Sequence, residues 1–482
     1  MEQKNFQKIY WRNREKTATE NRHWIRLTRV CNNNCIFCLD KDEQDGTIIP
    51  FSKIEEELKK GREQNCVRAI LSGGEPTLHP DYVKIIKKAK EEGYSWVQTV
   101  SNGRMFAYQD FLRDCIRAGL NEITFTIPGH NRKLFEAQTR AEGSYRQTLN
   151  GLINALRTSL IVSSDIVINK FTYKYLFEII KFYVNLGVRE FDLLQVTPYG
   201  NAWYYKDKVL YDLNKAFPYL KKAFDYAAKV DFFIWTNRFP PQFLEGYEEL
   251  IQDPHKLYAE VKGRKEDFEK VIKGEMEMKK AAGCYPERCP YCFWQNFAKT
   301  VVELRDIRRN LDKIKFSEKS RGRKNMIKQK KDFKKIKFGN AGEYEIFVNK
   351  QTEDWIIKNQ QKIKEMKGKI VFTQENHLLL SESVENDINL RDFFQKIKVK
   401  GIRIKNIPLC FYPSGKLVER GAENLAFLKN EVNIYKIVGW YIVNRYYTKS
   451  LRCKKCRHNR TCLGMQINYI RNFGYKLMKP IK

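Results

Sequence analysis

Trp24-Ile25-Arg26-Leu27-Thr28-Arg29-Val30-Cys31-Asn32-Asn33-Asn34-Cys35-Ile36-Phe37-Cys38 joins a strand-like apolar run to three closely spaced thiols. The spacing is CxxxCxxC. Short cysteine spacings let one loop wrap an iron–sulfur cube, so Cys31, Cys35 and Cys38 can hold three irons of a 4Fe–4S cluster. The fourth iron is then left open for chemistry. A structural zinc site instead closes with four ligands in paired short spacings, and no fourth Cys or His follows within this loop. The chain has no charged-then-apolar secretory start, so a reducing cytoplasm is the expected compartment and disulfides are not expected.

A second motif, Ser72-Gly73-Gly74-Glu75-Pro76, follows the next apolar run. Glycines permit close backbone approach to a ligand. Glu75 can accept hydrogen bonds from an ammonium group. With both motifs in place, the chain resembles the radical SAM enzymes, whose signature is a CxxxCxxC loop after the first strand and a glycine-rich motif after the second. The resemblance implies an open iron that chelates the amino and carboxylate groups of S-adenosylmethionine (SAM). It implies reductive cleavage to methionine and a 5′-deoxyadenosyl radical, fed by an electron donor such as a flavodoxin or ferredoxin. It also places Phe37, Gly73, Gly74, Glu75 and Pro76 among the cofactor-binding residues.

The first half alternates short apolar runs with amphipathic ones, the pattern of parallel βαβ units. Strands are expected at His23–Val30, Val67–Leu71, Trp96–Val100, Glu122–Ile127, Leu160–Ile168 and Glu190–Val196. Val230–Trp235 is a candidate edge strand. Helices are expected between them, and Leu149, Leu152, Ile153 and Leu156 recur at helical spacing in one. Gly93, Gly119 and Gly187 stand where helix C-terminal caps are needed. The expected fold is α/β, a partial (β/α)6 TIM-like barrel with a Cys-rich α+β extension. In such barrels the functional groups come from loops at the carboxyl ends of the strands. Ser101 and Asn102, Thr126, and Asn169 lie at the ends of the third, fourth and fifth strands. By resemblance Ser101 and Thr126 are hydroxyl contacts to SAM, and Asn102 and Asn169 join the same face. The bland reading of each is a side chain that satisfies the local backbone. His79 and His130 are loop residues without an assigned role. Phe191–Trp203 reads as a substrate mouth or a packed lid.

Ten of the twelve cysteines fall into three groups; Cys66 and Cys115 sit in apolar-periodic segments and read as core. Cys284, Cys289 and Cys292 form CxxxxCxxC. Cys453, Cys456 and Cys462 form CxxCxxxxxC, and with Cys410 upstream they make a complete four-thiolate set. This last run resembles part of the SPASM/Twitch extensions, which implies one or two auxiliary iron–sulfur clusters. Zinc is the rival metal for both later groups.

The expected organisation is an N-terminal segment 1–22, a barrel 23–236, a Cys-containing bridge 237–313, a basic linker 314–340 and a C-terminal module 341–482. Net charge is +32, from 89 Lys and Arg against 57 Asp and Glu. That excess invites a polyanion, and part of it is focused in Arg305–Lys337, which reads as a solvated linker or an anion-binding surface. No apolar run is long enough to span a bilayer, so no membrane association is expected. The leading expectation is a radical SAM oxidoreductase acting on a peptide or protein substrate. The alternatives are a radical SAM enzyme that modifies RNA and a non-catalytic zinc- and RNA-binding protein.

Overall fold

In the computed structural model, the described residues are 15–17, 19–282, 287–288, 295–310, 325–335, 343–366, 368–418, 425, 428 and 432–482. They divide into two compact units, one comprising Thr19–Phe243 and one that joins residues 15–17 to the described residues from Leu244 onward. Cys284, Cys289, Cys292 and most of the basic segment lie outside the described residues.

The barrel unit contains seven strands: β1 Arg22–Thr28, β2 Arg68–Gly73, β3 Trp96–Ser101, β4 Glu122–Thr126, β5 Ile161–Ile168, β6 Glu190–Gln195 and β7 Phe233–Asn237. All pair in parallel, in sequence order. The six strands expected from sequence are present, and the edge run becomes β7. Sequential order with right-handed crossovers puts the connecting helices on one face and leaves the other as the inner face of an open barrel. Helix α1 spans Phe51–Glu63, α2 Tyr82–Glu91, α3 Gln109–Ala118, α4 Arg132–Thr139, α5 Ser144–Leu156, α6 Leu176–Leu186 and α7 Leu213–Ala227. Strand residues facing these helices, including Leu71, Phe125, Phe191 and Ile234, are almost fully buried. Gly119 and Gly187 cap α3 and α6 with φ of +106° and +117°, a conformation that costs other residues 1–2 kcal/mol or so.

The second unit holds a five-stranded sheet of β8 Asn325–Ile327, β9 Tyr344–Phe347, β10 Ile370–Thr373, β11 Arg403–Lys405 and β12 Lys416–Leu417. Expected as α+β, this module has all five strands parallel, with helices between β9 and β10 and between β10 and β11. A short antiparallel pair, β13 Tyr447–Thr448 and β14 Met465–Gln466, follows. Within the stretch 237–313, amphipathic helices α8 Lys265–Lys273 and α9 Gln295–Arg309 bury Phe268, Val271, Phe297 and Val301 in one core with α10 Ile434–Asn444.

Candidate active site

The CxxxCxxC loop leaves β1 at its carboxyl end and is tied down by its three asparagines. Asn32 Oδ1 accepts from Asn102 Nδ2 at 2.7 Å. Asn33 Oδ1 accepts from Arg104 at 2.9 Å, and the same guanidinium nitrogen donates to Asn32 O at 2.6 Å. Asn34 Oδ1 accepts from Asn201 Nδ2 at 3.1 Å, which also donates to Cys35 O at 2.8 Å. Backbone N–H groups of Asn34 and Ile36 donate to Thr139 O and Gln138 O. Ile36 and Phe37 anchor the loop in an apolar cluster with Val196, Ala202 and Val209. Phe37 packs in this cluster and is 7% exposed.

The motif after β2 is held against β1. Gly73 has φ of +139°, and a Cβ there would stand 2.4 Å from Thr28 O. At Gly74 a Cβ would stand 2.2 Å from Val30 O. The glycines therefore serve a close approach between two backbones, with Gly74 N donating to Thr28 O and Glu75 N to Val30 O. This places Glu75 next to the cysteine loop. Its carboxylate is buried. Oε1 accepts from Thr77 N, Thr77 Oγ1 at 2.6 Å and Ser101 Oγ at 2.7 Å; Oε2 accepts from Asn102 N at 2.8 Å. A carboxylate offers about four acceptor sites, two per oxygen, so Oε2 retains capacity for one more donor. Burial pushes the Glu75 carboxyl above its ordinary value, against these hydrogen bonds. Pro76 begins the turn that Glu75 caps.

Ser101 bridges Glu75 and Gly103 N. Thr126 ends β4 on the inner face, in register with Asp165. Asn169 is fully buried: Nδ2 donates to Gln138 Oε1 and Val167 O, and Oδ1 accepts from Phe171 N and Thr172 N. All its hydrogen-bonding positions are used within the chain. His79 is likewise committed, with Nε2 on Ile49 O and Nδ1 accepting from Asp81 N. The Phe191–Trp203 loop buttresses the cysteines: Asn201 N donates to Cys38 O at 2.9 Å, and a Cβ at Gly200 would stand 2.6 Å from that oxygen.

Cys31, Cys35 and Cys38 are free thiols. Burial pushes Cys31 up to about 12, Cys35 well above its ordinary value, and Cys38 upward. Among the described residues no three His, Cys, Asp or Glu converge on one point tightly enough for a single metal ion. A cubane asks for something different, one thiolate per iron at separate corners. Three thiols on one tethered loop, with Asn33 N already donating to Cys31 Sγ at 3.4 Å, fit that group. In the second unit Cys410 lies near enough to Cys462 and Cys453 for their charges to raise its pKa, which burial foremost pushes up to about 11. Cys453 is raised by burial and then by Cys462 and Cys456. Electrostatic influence thus runs from Cys410 to Cys453 and Cys462 and from Cys453 to Cys456 and Cys462.

Sequence reasoning missed Arg104, Asn201 and Gln138, which hold the cysteine loop through the hydrogen bonds above. The run of three asparagines between ligand cysteines was the available signal.

Residues 25–183 match the family described as Radical SAM superfamily. A probable GTP 3′,8-cyclase of Saccharolobus islandicus is 31% identical over 178 residues, 36% of this chain and 57% of that protein. A probable GTP 3′,8-cyclase of Sulfurisphaera tokodaii is 27% identical over 191 residues, 38% of this chain and 60% of that protein. The chain thus spans about 57–60% of the length of these curated relatives. The crystal structure of Streptococcus suis SuiB bound to precursor peptide SuiA is similar with a TM-score of 0.40 and 16% identity, covering 49% of this chain and 52% of that one. No helix among the described residues is long and apolar enough to cross a membrane.

Proposed function

We infer, from a chain whose residues 25–183 match the Radical SAM superfamily, an oxidoreductase-type enzyme that cleaves SAM reductively and modifies a peptide or protein substrate. The observation that carries this reading is the joint placement of the cysteine loop and the Glu75–Ser101–Asn102 network at the carboxyl ends of β1 to β3. Cys31, Cys35 and Cys38 would hold the catalytic cluster. Glu75, with Ser101, Asn102 and Thr126, would hold SAM. When bound, these groups supply a 5′-deoxyadenosyl radical on receipt of one electron. The chain's own part is to fix the loop through Asn32–Asn34 and Arg104, to shield the half-buried thiols from solvent, and to present the substrate on the inner face. Cys410, Cys453, Cys456 and Cys462 would hold an auxiliary cluster that takes the electron left after hydrogen abstraction, or binds substrate. A flavodoxin or ferredoxin would deliver the reducing electron.

The names of the curated relatives favour a second reading, a purine nucleotide as substrate. Anaerobic reconstitution with iron and sulfide, iron counting and a 5′-deoxyadenosine assay test the first step. Reduced protein should convert SAM to 5′-deoxyadenosine and methionine, and the triple Ala variant at Cys31, Cys35 and Cys38 should not. Persistent cleavage in that variant sinks the assignment. Changing Cys410, Cys453, Cys456 and Cys462 to Ala should remove roughly four irons if the site is a 4Fe–4S cube. Incubation with GTP, followed by mass spectrometry of the nucleotide, separates the two substrate classes.

A further inference from the structure

The stretch that follows the three cysteines of the barrel is acidic. Cys38-Leu39-Asp40-Lys41-Asp42-Glu43-Gln44-Asp45-Gly46 carries four carboxylates within six residues. Beside a thiolate-held cluster that is an unfavourable composition. A cluster that takes up an electron becomes more negative, and nearby like charges oppose the step.

The fold engages these carboxylates one by one. The stretch turns back onto β1: Arg29 N donates to Thr47 O at 2.7 Å, Ile49 N donates to Leu27 O at 3.1 Å, and Thr28 faces Ile48 in an antiparallel bridge. Asp40 accepts from Arg26 Nη1 and Nη2 at 2.6 and 2.7 Å. Asp42 accepts from the Tyr204 hydroxyl at 2.7 Å. Glu43 is paired with Arg29, which also donates to Glu43 O at 2.9 Å. Asp45 accepts from Thr47 N at 2.9 Å.

Lys41 and Gln44 are the polar side chains left over. A single 3-10 turn over Lys41–Glu43 closes with Gln44 N on Lys41 O at 3.1 Å. It carries the Gln44 amide back to the cysteine loop, where Nε2 donates to Cys38 Sγ at 3.5 Å. Among the described residues this is the one side-chain hydrogen bond made to the three sulfurs. Cys31 takes its donor from the main chain, Asn33 N at 3.4 Å. The charges felt at Cys38 agree with that arrangement. Burial foremost raises this thiol, and the Asp40 charge adds to it; the Asp40 N–H, the Lys41 charge and the Gln44 amide work the other way.

We propose that Gln44 sets the reduction potential of the cluster held by Cys31, Cys35 and Cys38, by donating its amide N–H to the Cys38 thiolate. Gln44 acts through this ligand and is a positioning residue, not a catalytic one. Uptake of one electron from an external donor adds one negative charge to the cluster. A hydrogen bond donated to a ligand sulfur stabilises the reduced state more than the oxidised one, so it raises the potential. The cluster then accepts its electron from a weaker reductant, and less driving force is left for cleaving SAM. The inference rests on the reading of the cysteine loop as the cluster site.

The test is a potentiometric titration of the reconstituted full chain followed by EPR, with dithionite-reduced viologen as the one-electron donor. The catalytic cluster is read from the part of the reduced signal that changes shape when SAM is added. Gln44→Leu removes the donor at similar bulk, Gln44→Glu puts a like charge in its place, and Gln44→Lys supplies a charged donor. At a fixed solution potential, the ratio of reduced to oxidised cluster should fall at least threefold in the Leu variant. In the Glu variant it should fall at least tenfold, a shift of about 59 mV for one electron. The Lys variant should match or exceed the wild type. A role in packing alone would move iron content and thermal stability without this order of potentials. A Leu variant that titrates as the wild type does, or a Lys variant that titrates below the Leu one, overturns the proposal. These two decide the matter even where the Glu variant loses its iron. Iron lost from the Leu and Lys variants alike assigns Gln44 to holding the loop and overturns it too. A wild type with no SAM-responsive signal strikes instead the reading of the cluster site, and this proposal with it.

Discussion

Glu75 shows how much a single carboxylate can organise. Its two oxygens collect donors from the turn that follows it and from the end of β3, so it ties the glycine motif to the Ser101–Asn102 loop. Glu75→Gln keeps the shape but replaces one acceptor oxygen with an N–H2 group, which then faces a donor at close range. Losing a hydrogen bond at a buried charged group costs roughly 1.5–3 kcal/mol. SAM affinity should therefore fall about tenfold or more, measured by equilibrium dialysis on reconstituted protein with iron content held equal. Unchanged affinity would return Glu75 to a structural role. The pairing of the two motifs was legible in the sequence because both are local patterns. The number of donors already on Glu75 was not, since Ser101 and Asn102 reach it only through strand pairing. Asn169 makes the same point in reverse. Its position at the end of β5 suggested a ligand, while the fold uses every one of its polar positions for itself.

At the level of strands, the glycine motif is a docking surface between β1 and β2. Gly74→Ala would drive a methyl into Val30 O, a backbone atom that cannot step aside without moving the cysteine loop. A cost of about 1–3 kcal/mol is expected, as for other overpacked sites, together with reduced iron retention after reconstitution. Gly263→Ala is the control, because nothing lies within 4 Å of a Cβ there. Equal stability and iron content in the two variants would refute this account. Barrel strands were readable because alternation of apolar runs with amphipathic helices is written in every βαβ unit. The short strands β8, β11 and β12 were not, being two or three residues long and set among lysines. Helices α8 and α9 show a related limit: amphipathic periodicity announces a buried face without naming what buries it.

Across the second unit, His377 and Asp387 form a buried pair at 3.0 Å. Burial alone would lower the His377 pKa, but the hydrogen bond and charge of Asp387 outweigh it and raise the value. A raised pKa means stability that is fully present below the unfolded value of about 6.5 and lost as pH rises through the folded one. The second unit should accordingly unfold at lower temperature at pH 8.5 than at pH 6, by calorimetry, and Asp387→Asn should flatten that dependence. A wild-type profile that rises across this interval would contradict the pairing. Both large sheets are also built in strict sequence order, each strand pairing with the one made just before it. Short-range pairing of this kind suits a chain that folds while it is still being synthesised. The barrel can close its strands one after another before the second sheet exists.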